Sequence, residues 1–203
     1  MQFSLFDSDS PNSPSMPLLP GLSYVQHFVS AKEESELLTH IDQQVWLDEL
    51  KRRVQHYGYK YDYRARKIDH SFFLGSLPDW MSLLTDRLQE QEILSFCPDQ
   101  AIVNEYQPGQ GISPHIDCEP CFGSIVVSLT LGSGCGMRFT EAKDRAKHTE
   151  LYLEPRSLIV LAGSSRYDYL HSIPSRKSDV WKDQKINRKR RVSVTFRKVI
   201  VAN

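Results

Sequence analysis

Between Ser30 and Val45, the apolar residues Leu37, Leu38, Ile41 and Val45 recur at the spacing that places them on one stripe of a 3.6-residue repeat. Ser30-Ala-Lys-Glu33 ahead of them reads as a capping box, in which hydroxyl and carboxylate each accept an otherwise open backbone N–H. Glu34 and Glu36 add negative charge where a helix begins. The pattern predicts a helix over 31–45 that lays one face on a sheet. Pro78-Asp79 opens a second helix, running to about residue 91, with Trp80, Leu83, Leu84 and Leu88 on its inner face. Beyond it the period drops to two. Segments 101–106, 124–131, 136–140, 150–153, 157–161, 167–173 and 191–201 are short, β-branched or aromatic, and separated by Gly and Pro. Helices first and short strands afterwards predict an α+β domain.

Two alternating stretches sort chemistry by face. In Arg191-Val-Ser-Val-Thr-Phe-Arg197, the residues Arg191, Ser193, Thr195 and Arg197 share one side of a strand, and Val192, Val194 and Phe196 the other. Two guanidiniums facing the same way can grip a dicarboxylate through charge-assisted hydrogen bonds, the alternative being an exposed basic edge. In the second stretch Tyr57, Tyr59, Tyr61 and Tyr63 alternate with small or polar residues, which predicts a strand with four phenols on one face. Beside Arg52, Arg53 and His56, those rings suit stacking on a base and contact with phosphate; half-buried structural tyrosines are the alternative.

A chain of 203 residues, 40% of them hydrophobic, buries one core, so a single monomeric domain over 21–203 is expected. Residues 1–20 are rich in Ser, Pro and Asp and predict a flexible tail. No apolar run reaches about 18 residues and no signal sequence is present, so a cytoplasmic protein away from membranes is expected. Cys97, Cys118, Cys121 and Cys135 are read as reduced thiols. Cys118-x-x-Cys121 lacks the second pair that a zinc site needs. The formal charge is zero but unevenly spread. Residues 51–67 carry seven bases and one acid, and 176–198 carry ten bases and two acids. The second block includes a polar loop between Ile173 and Arg191. Together the two blocks suggest a track for phosphate, against the ordinary reading of solvated loops.

The candidate chemistry lies in Asn104-Glu-Tyr-Gln-Pro-Gly-Gln-Gly-Ile-Ser-Pro-His-Ile-Asp117. On an extended strand His115 and Asp117 point the same way and can occupy two neighbouring positions on one metal ion. His171, closing Tyr167-Asp-Tyr-Leu-His171, is the best candidate for a third ligand. Two imidazoles and a carboxylate on one face form the facial triad of non-haem iron oxygenases. A lone His-x-Asp is a weak signal, and the paired arginines of the last strand strengthen it.

Taken in order, Asn104, Tyr106, Pro108, Gly109, His115, Asp117, His171, Arg191 and Arg197 resemble the pattern of the AlkB family of Fe(II)- and 2-oxoglutarate-dependent dioxygenases. The likeness implies a double-stranded β-helix, or jelly roll, supported by the N-terminal helices, with Fe(II), 2-oxoglutarate and O2 at its mouth. It implies that His115, Asp117 and His171 bind iron, that Arg191 pairs with the distal carboxylate of 2-oxoglutarate, and that Arg197 lies near its metal-bound end. Asn104 and Tyr106 would complete the cosubstrate pocket, and Ser193 replaces an Asn found in some members. Gly58-Tyr59-x-Tyr61 is similar to the family's substrate lid. Glu119 sits where several repair members carry an acid that reads the base, with a solvated loop residue as the alternative.

The resemblance further implies alkylated DNA or RNA as partner and oxidative dealkylation, as in DNA repair, as the activity. Several stretches are also similar to the AlkB domain of the eukaryotic wobble-uridine tRNA modification enzyme, which makes tRNA the alternative substrate. A protein or lipid substrate, as in other branches of the family, comes third, and a catalytically silent nucleic-acid-binding or clamp-associated module, disfavoured by the complete ligand set, is the reading from another class. Gln2-Phe3-Ser4-Leu5-Phe6 resembles the short peptide with which bacterial replication and repair proteins dock on the sliding clamp.

Overall fold

In a computed structural model of the chain, residues 19–62, 65 and 67–201 are described. The clamp-like segment Gln2–Phe6, the rest of the expected tail to residue 18, and Tyr63 lie outside them. The first helix, α1 (Ala31–Asp42), begins at the expected capping box: Ser30 Oγ accepts from the Glu33 N–H at 3.2 Å, and Glu33 Oε2 accepts from the Ser30 N–H at 2.7 Å. It stops one turn short of the sequence expectation. The chain leaves the helix so that Leu47 can bridge to Val54, and Val45 is left 81% exposed. The second helical stretch opens as a 3₁₀ turn, Asp79–Met81, before α2 (Ser82–Glu90). That tighter turn shifts the inward stripe to Met81, Leu84 and Leu88, and turns Leu83 out at 49% exposure.

Six strands form the larger sheet, in the order β1 (Leu22–Val25), β8 (Leu158–Leu161), β5 (Val126–Gly132), β12 (Arg191–Arg197), β3 (Gln100–Tyr106) and β2 (Val54–Tyr57). Four form the smaller one: β4 (Ile112–His115), β9 (Tyr169–Ile173), β6 (Cys135–Glu141) and β7 (His148–Leu153). All pairings are antiparallel. A short helix, α3 (Gly163–Tyr167), precedes β9, so Tyr167 is helical rather than the start of the expected strand.

The alternation along β12 divides two compartments. Val192, Val194 and Phe196 join Leu37, Ile41, Met81, Leu84 and Leu88 in a core between the large sheet and the two helices. Arg191, Ser193, Thr195 and Arg197 face the space between the two sheets. There Val126, Met137, Phe139, Leu151, Ile159 and Ile173 make a second core that closes one end of the sandwich. The result is the expected double-stranded β-helix, with helices covering its outer face.

Three further expectations are corrected. The tyrosine strand ends at Tyr57, because Gly58 takes φ +75° with its α-carbon so close to Asp99 that a Cβ would lie 1.8 Å from that carbonyl oxygen. Tyr59 bridges instead to Phe73, and Tyr61 packs at 5.5 Å from the ring of Phe122. The polar loop 174–190 contains a hairpin, β10 (Ser178–Trp181) with β11 (Gln184–Asn187), turned by Lys182 and Asp183 at φ 49° and 60°. Finally, Cys118 and Cys121 are joined in a disulfide, their Cα atoms 5.2 Å apart in the turn after Asp117; Cys97 and Cys135 are free thiols. No helix among the described residues is long and apolar enough to cross a membrane.

Candidate active site

His115 and His171 are direct register partners on β4 and β9, their ring centroids 4.2 Å apart. Asp117 follows two residues beyond His115, past the end of β4, and its Oδ1 lies 3.7 Å from His115 Nε2. One ligand atom from each of the three residues falls within 4.8 Å of the others, the arrangement a single ion requires. His115 Nδ1 lies 2.8 Å from the Ser113 carbonyl oxygen, which can only accept. The proton therefore sits on Nδ1, and the Nε2 lone pair is left for a metal.

Electrostatics hold Asp117 and His171 in their coordinating forms. Burial alone would raise the Asp117 pKa, but Arg197, His171, His115 and Arg166 outweigh it and keep the carboxyl well below the usual carboxylate range. Burial, aided by His115 and opposed by Asp117, pushes His171 down to about 3, so its imidazole is neutral near pH 7. Arg197 spans the Asp117 carboxylate with Nε and Nη2, each donating at 3.2 Å, while its Nη1 donates to Gln100 Oε1 at 3.1 Å. The ring of Phe122 lies 4.6 Å beneath that guanidinium. The fully buried Arg166, on α3, donates from Nη1 to the Asp117 carbonyl at 2.9 Å.

The three ligands lie on the wall of a cavity of about 900 Å³ between the sheets. Arg191, 3% exposed, lies on the same wall, its Nη2 donating to Thr130 Oγ1 at 2.9 Å and its guanidinium 5.3 Å from the Tyr106 ring centre. Among the described residues its buried Nε and Nη1 have no hydrogen-bond partner. A buried cation with two open N–H groups is costly unless an anion completes it. The donor set therefore fits both parts of the expected pair, a divalent iron held by two imidazoles and a carboxylate, and a dicarboxylate anchored by Arg191. Asn104 and Tyr106 line the same cavity, as do Ser193 and Thr195.

Of the six residues expected to meet substrate, three line the cavity: Arg52, Tyr61 and the exposed Glu119. Arg52 donates from Nε to Asn104 Oδ1 at 2.8 Å and lies 5.6 Å from the Tyr106 ring centre. The other three lie away from the cavity lining. Arg53 grips both oxygens of the buried Glu105, at 2.7 and 2.8 Å, because alternation along the chain turns it opposite to Arg52. His56 is buried on β2, 3.8 Å from Glu49, and Tyr59 packs on Phe73 at 5.0 Å beyond the Gly58 turn. The sequence reading missed Arg166, Thr130 and Lys51, the last also on the cavity wall. Lys51 entered the sequence reading only as one of the seven bases of block 51–67. Nothing in the pattern distinguished Arg166 from an exposed basic residue.

The sequence profile of the 2OG-Fe(II) oxygenase superfamily matches residues 21–197. The chain is 39% identical over 203 residues to a protein of Arabidopsis thaliana named as an alkylated DNA repair protein ALKBH8 homolog, covering 89% of this chain and 59% of that one. It is 36% identical over 176 residues to the Xenopus tropicalis tRNA (carboxymethyluridine(34)-5-O)-methyltransferase alkbh8, covering 83% of this chain and 27% of that one. The chain thus spans well under two thirds of either relative's length. Among solved structures, OsALKBH1 superposes with a TM-score of 0.69 at 19% identity, over 89% of this chain and 98% of that one, and shares its fold.

Proposed function

Because the chain belongs to the 2OG-Fe(II) oxygenase superfamily, within its AlkB group, we propose that this 2-oxoglutarate-dependent dioxygenase oxidises an alkyl substituent on a nucleic-acid base. The observation that carries the reading is the cavity itself: at about 900 Å³ it has room for a small diacid and a planar base together. Bound iron with 2-oxoglutarate and O2 supplies the power to put oxygen into a C–H bond.

The chain's own residues supply the rest. His115, Asp117 and His171 hold the metal, Arg197 and Arg166 fix Asp117, and Arg191 orients the diacid. Glu119 and Tyr61, both on the cavity wall, are the residues we assign to the base, the carboxylate to accept an exocyclic N–H and the phenol ring to stack. A base reaches such a cavity only out of its stack, which costs least in single strands or where alkylation has already weakened pairing.

Oxidative dealkylation of an N-alkylated base, as in DNA repair, is the first reading. Oxidation of a modified uridine in tRNA is the second, favoured by the likeness to one part of the frog tRNA enzyme. The test is incubation with Fe(II), 2-oxoglutarate and, separately, methylated single-stranded DNA, methylated RNA and modified tRNA. Substrate-dependent succinate with formaldehyde supports dealkylation. Succinate with one oxygen gained on a tRNA nucleoside, and no formaldehyde, supports the second reading. Succinate unaffected by every nucleic acid removes both.

A further inference from the structure

The β10–β11 hairpin belongs to neither large sheet, yet it is rigidly mounted. Register pairs Val180 with Lys185 and Asp179 with Ile186, so alternation gives the hairpin two unlike faces. The inner face docks. Buried Asp179 accepts from Arg188 Nε at 2.6 Å and Nη2 at 2.8 Å and from Arg176 Nε at 2.7 Å, and Trp181 stacks on Tyr152 at 5.3 Å. The basic block counted in the sequence is therefore divided. Arg176 and Arg188 are engaged by Asp179, and Arg190 by Asp42 and Glu105, so none of the three is available to an outside anion.

Arg191 and Arg197 belong to the cavity and Lys198 pairs with Asp99, so what remains is four exposed lysines: Lys177, Lys182, Lys185 and Lys189. Among the described residues none of their ammonium groups is ion-paired with a carboxylate. Lys182 lies 5.7 Å from the Trp181 ring centre, and Val180 stands 70% exposed beside them. The patch is continuous with the cavity. A Cβ on Gly109 would lie 3.8 Å from Lys177 Cγ; the next residue, Gln110, donates from Nε2 to the Lys51 carbonyl at 2.8 Å, and Lys51 lines the cavity. Contacts thus run from the Lys177 flank of the hairpin through the uncharged Gly109 turn to Lys51 on the cavity wall, a ridge that carries five lysines and, at the hairpin tip, the exposed acid Asp183.

We propose that the exposed lysines on this hairpin and its two flanks form a docking surface for the phosphodiester backbone of a single-stranded nucleic acid whose target base enters the cavity. The proposal rests on the reading of a nucleic-acid substrate and adds the surface that holds the strand. Flexible ammonium groups unpaired with carboxylates suit a backbone that offers one charge per nucleotide and no fixed register. A strand held on the ridge keeps its bases free to stack or flip, and recognition by charge alone is indifferent to sequence.

The test measures binding of fluorescein-labelled single-stranded RNA and DNA to the full chain and to a variant carrying Lys177→Gln, Lys182→Gln, Lys185→Gln and Lys189→Gln. A second variant with Arg at all four positions keeps the charge. The proposal expects wild-type affinity to fall steeply between about 50 and 200 mM salt. It expects the Gln variant to bind at least about tenfold more weakly at low salt, with the log–log salt slope shallower by about 0.7 for each phosphate no longer neutralised. The Arg variant should bind like wild type, and Mn(II) and 2-oxoglutarate affinities should be unchanged in both, because none of the four lysines lines the cavity. Wild-type binding that the Gln variant matches in strength and slope overturns the docking surface and leaves the substrate reading intact. Absence of wild-type binding to either nucleic acid overturns both.

Discussion

Arg197 holds Asp117 as a fork holds a plate edge: Nε and Nη2 each donate to a different oxygen of the carboxylate at 3.2 Å. The likeness to AlkB proteins implies that Arg197 lies near the metal-bound end of the cosubstrate, and in the structure its direct partner is the proposed metal ligand Asp117. A bidentate grip fixes carboxylate rotation, so one oxygen is presented toward His115 Nε2 while the other stays satisfied.

Arg197→Lys keeps the charge and removes the fork. Mn(II) affinity, measured by calorimetry without cosubstrate, should fall about 10- to 100-fold, the usual cost of losing a ligand's outer partner. Affinity equal to wild type would show that Asp117 is held without Arg197.

Arg191 predicts two opposite effects of one change. Its buried Nε and Nη1 lack partners among the described residues, so the ligand-free protein carries an incompletely satisfied cation. Arg191→Met should leave the ligand-free melting temperature no lower than wild type, because removing an uncompensated buried charge offsets the lost bond to Thr130. The same change should weaken 2-oxoglutarate binding about 10- to 100-fold, equivalent to about 1.5–3 kcal/mol for charge-assisted bonds. A marked fall in melting temperature would instead make Arg191 a structural cation.

How much of this was legible in the sequence follows from which residues obey local rules. Even spacing alone put Arg191, Ser193, Thr195 and Arg197 on one face, because a two-residue period survives wherever a strand is regular. The capping box at Ser30 was equally local. What failed depended on breaks in the period. Gly58 turned the tyrosine stretch away from its expected face, the 3₁₀ turn before Ser82 rotated the second helix, and the chain left α1 early to pair Leu47 with Val54. Arg166 was invisible for another reason: its partner is a backbone carbonyl 49 residues away, and no side-chain pattern encodes that.

The Cys118–Cys121 bond gives a direct chemical count. Protein denatured without reductant should take up alkylating reagent at Cys97 and Cys135 only, and at all four cysteines after reduction. Peptide mass spectrometry of the two samples distinguishes these states. Four labelled cysteines in the unreduced sample would return Cys118 and Cys121 to the reduced thiols that the sequence suggested.

Two groups away from the metal ligands should contribute to the acid limb of stability, Glu33 in a lower pH window and His56 in a higher one. Bonds from Arg87 and from the Ser30 N–H lower Glu33 to about 2, against an unfolded value of 4.5, so its contribution is complete above 4.5 and is lost as pH falls toward 2. His56 acts at higher pH. Burial, opposed by Glu49 and assisted by Lys60 and Arg197, lowers it from 6.5 to about 4. Between those values the unfolded chain binds a proton that the folded chain does not, so stability rises with pH across that interval and is fully present above 6.5. The contribution is on the order of 3 kcal/mol at most, since one pH unit of displacement corresponds to about 1.4 kcal/mol. Urea unfolding of wild type and His56→Gln at pH 7.5 and pH 5 isolates it from His171, which titrates equally in both proteins. The wild type should lose more stability on going to pH 5 than the variant does, by about 1–2 kcal/mol over this partial window. Equal losses would mean that His56 accepts its proton within the fold without penalty, through Glu49 turning to meet it.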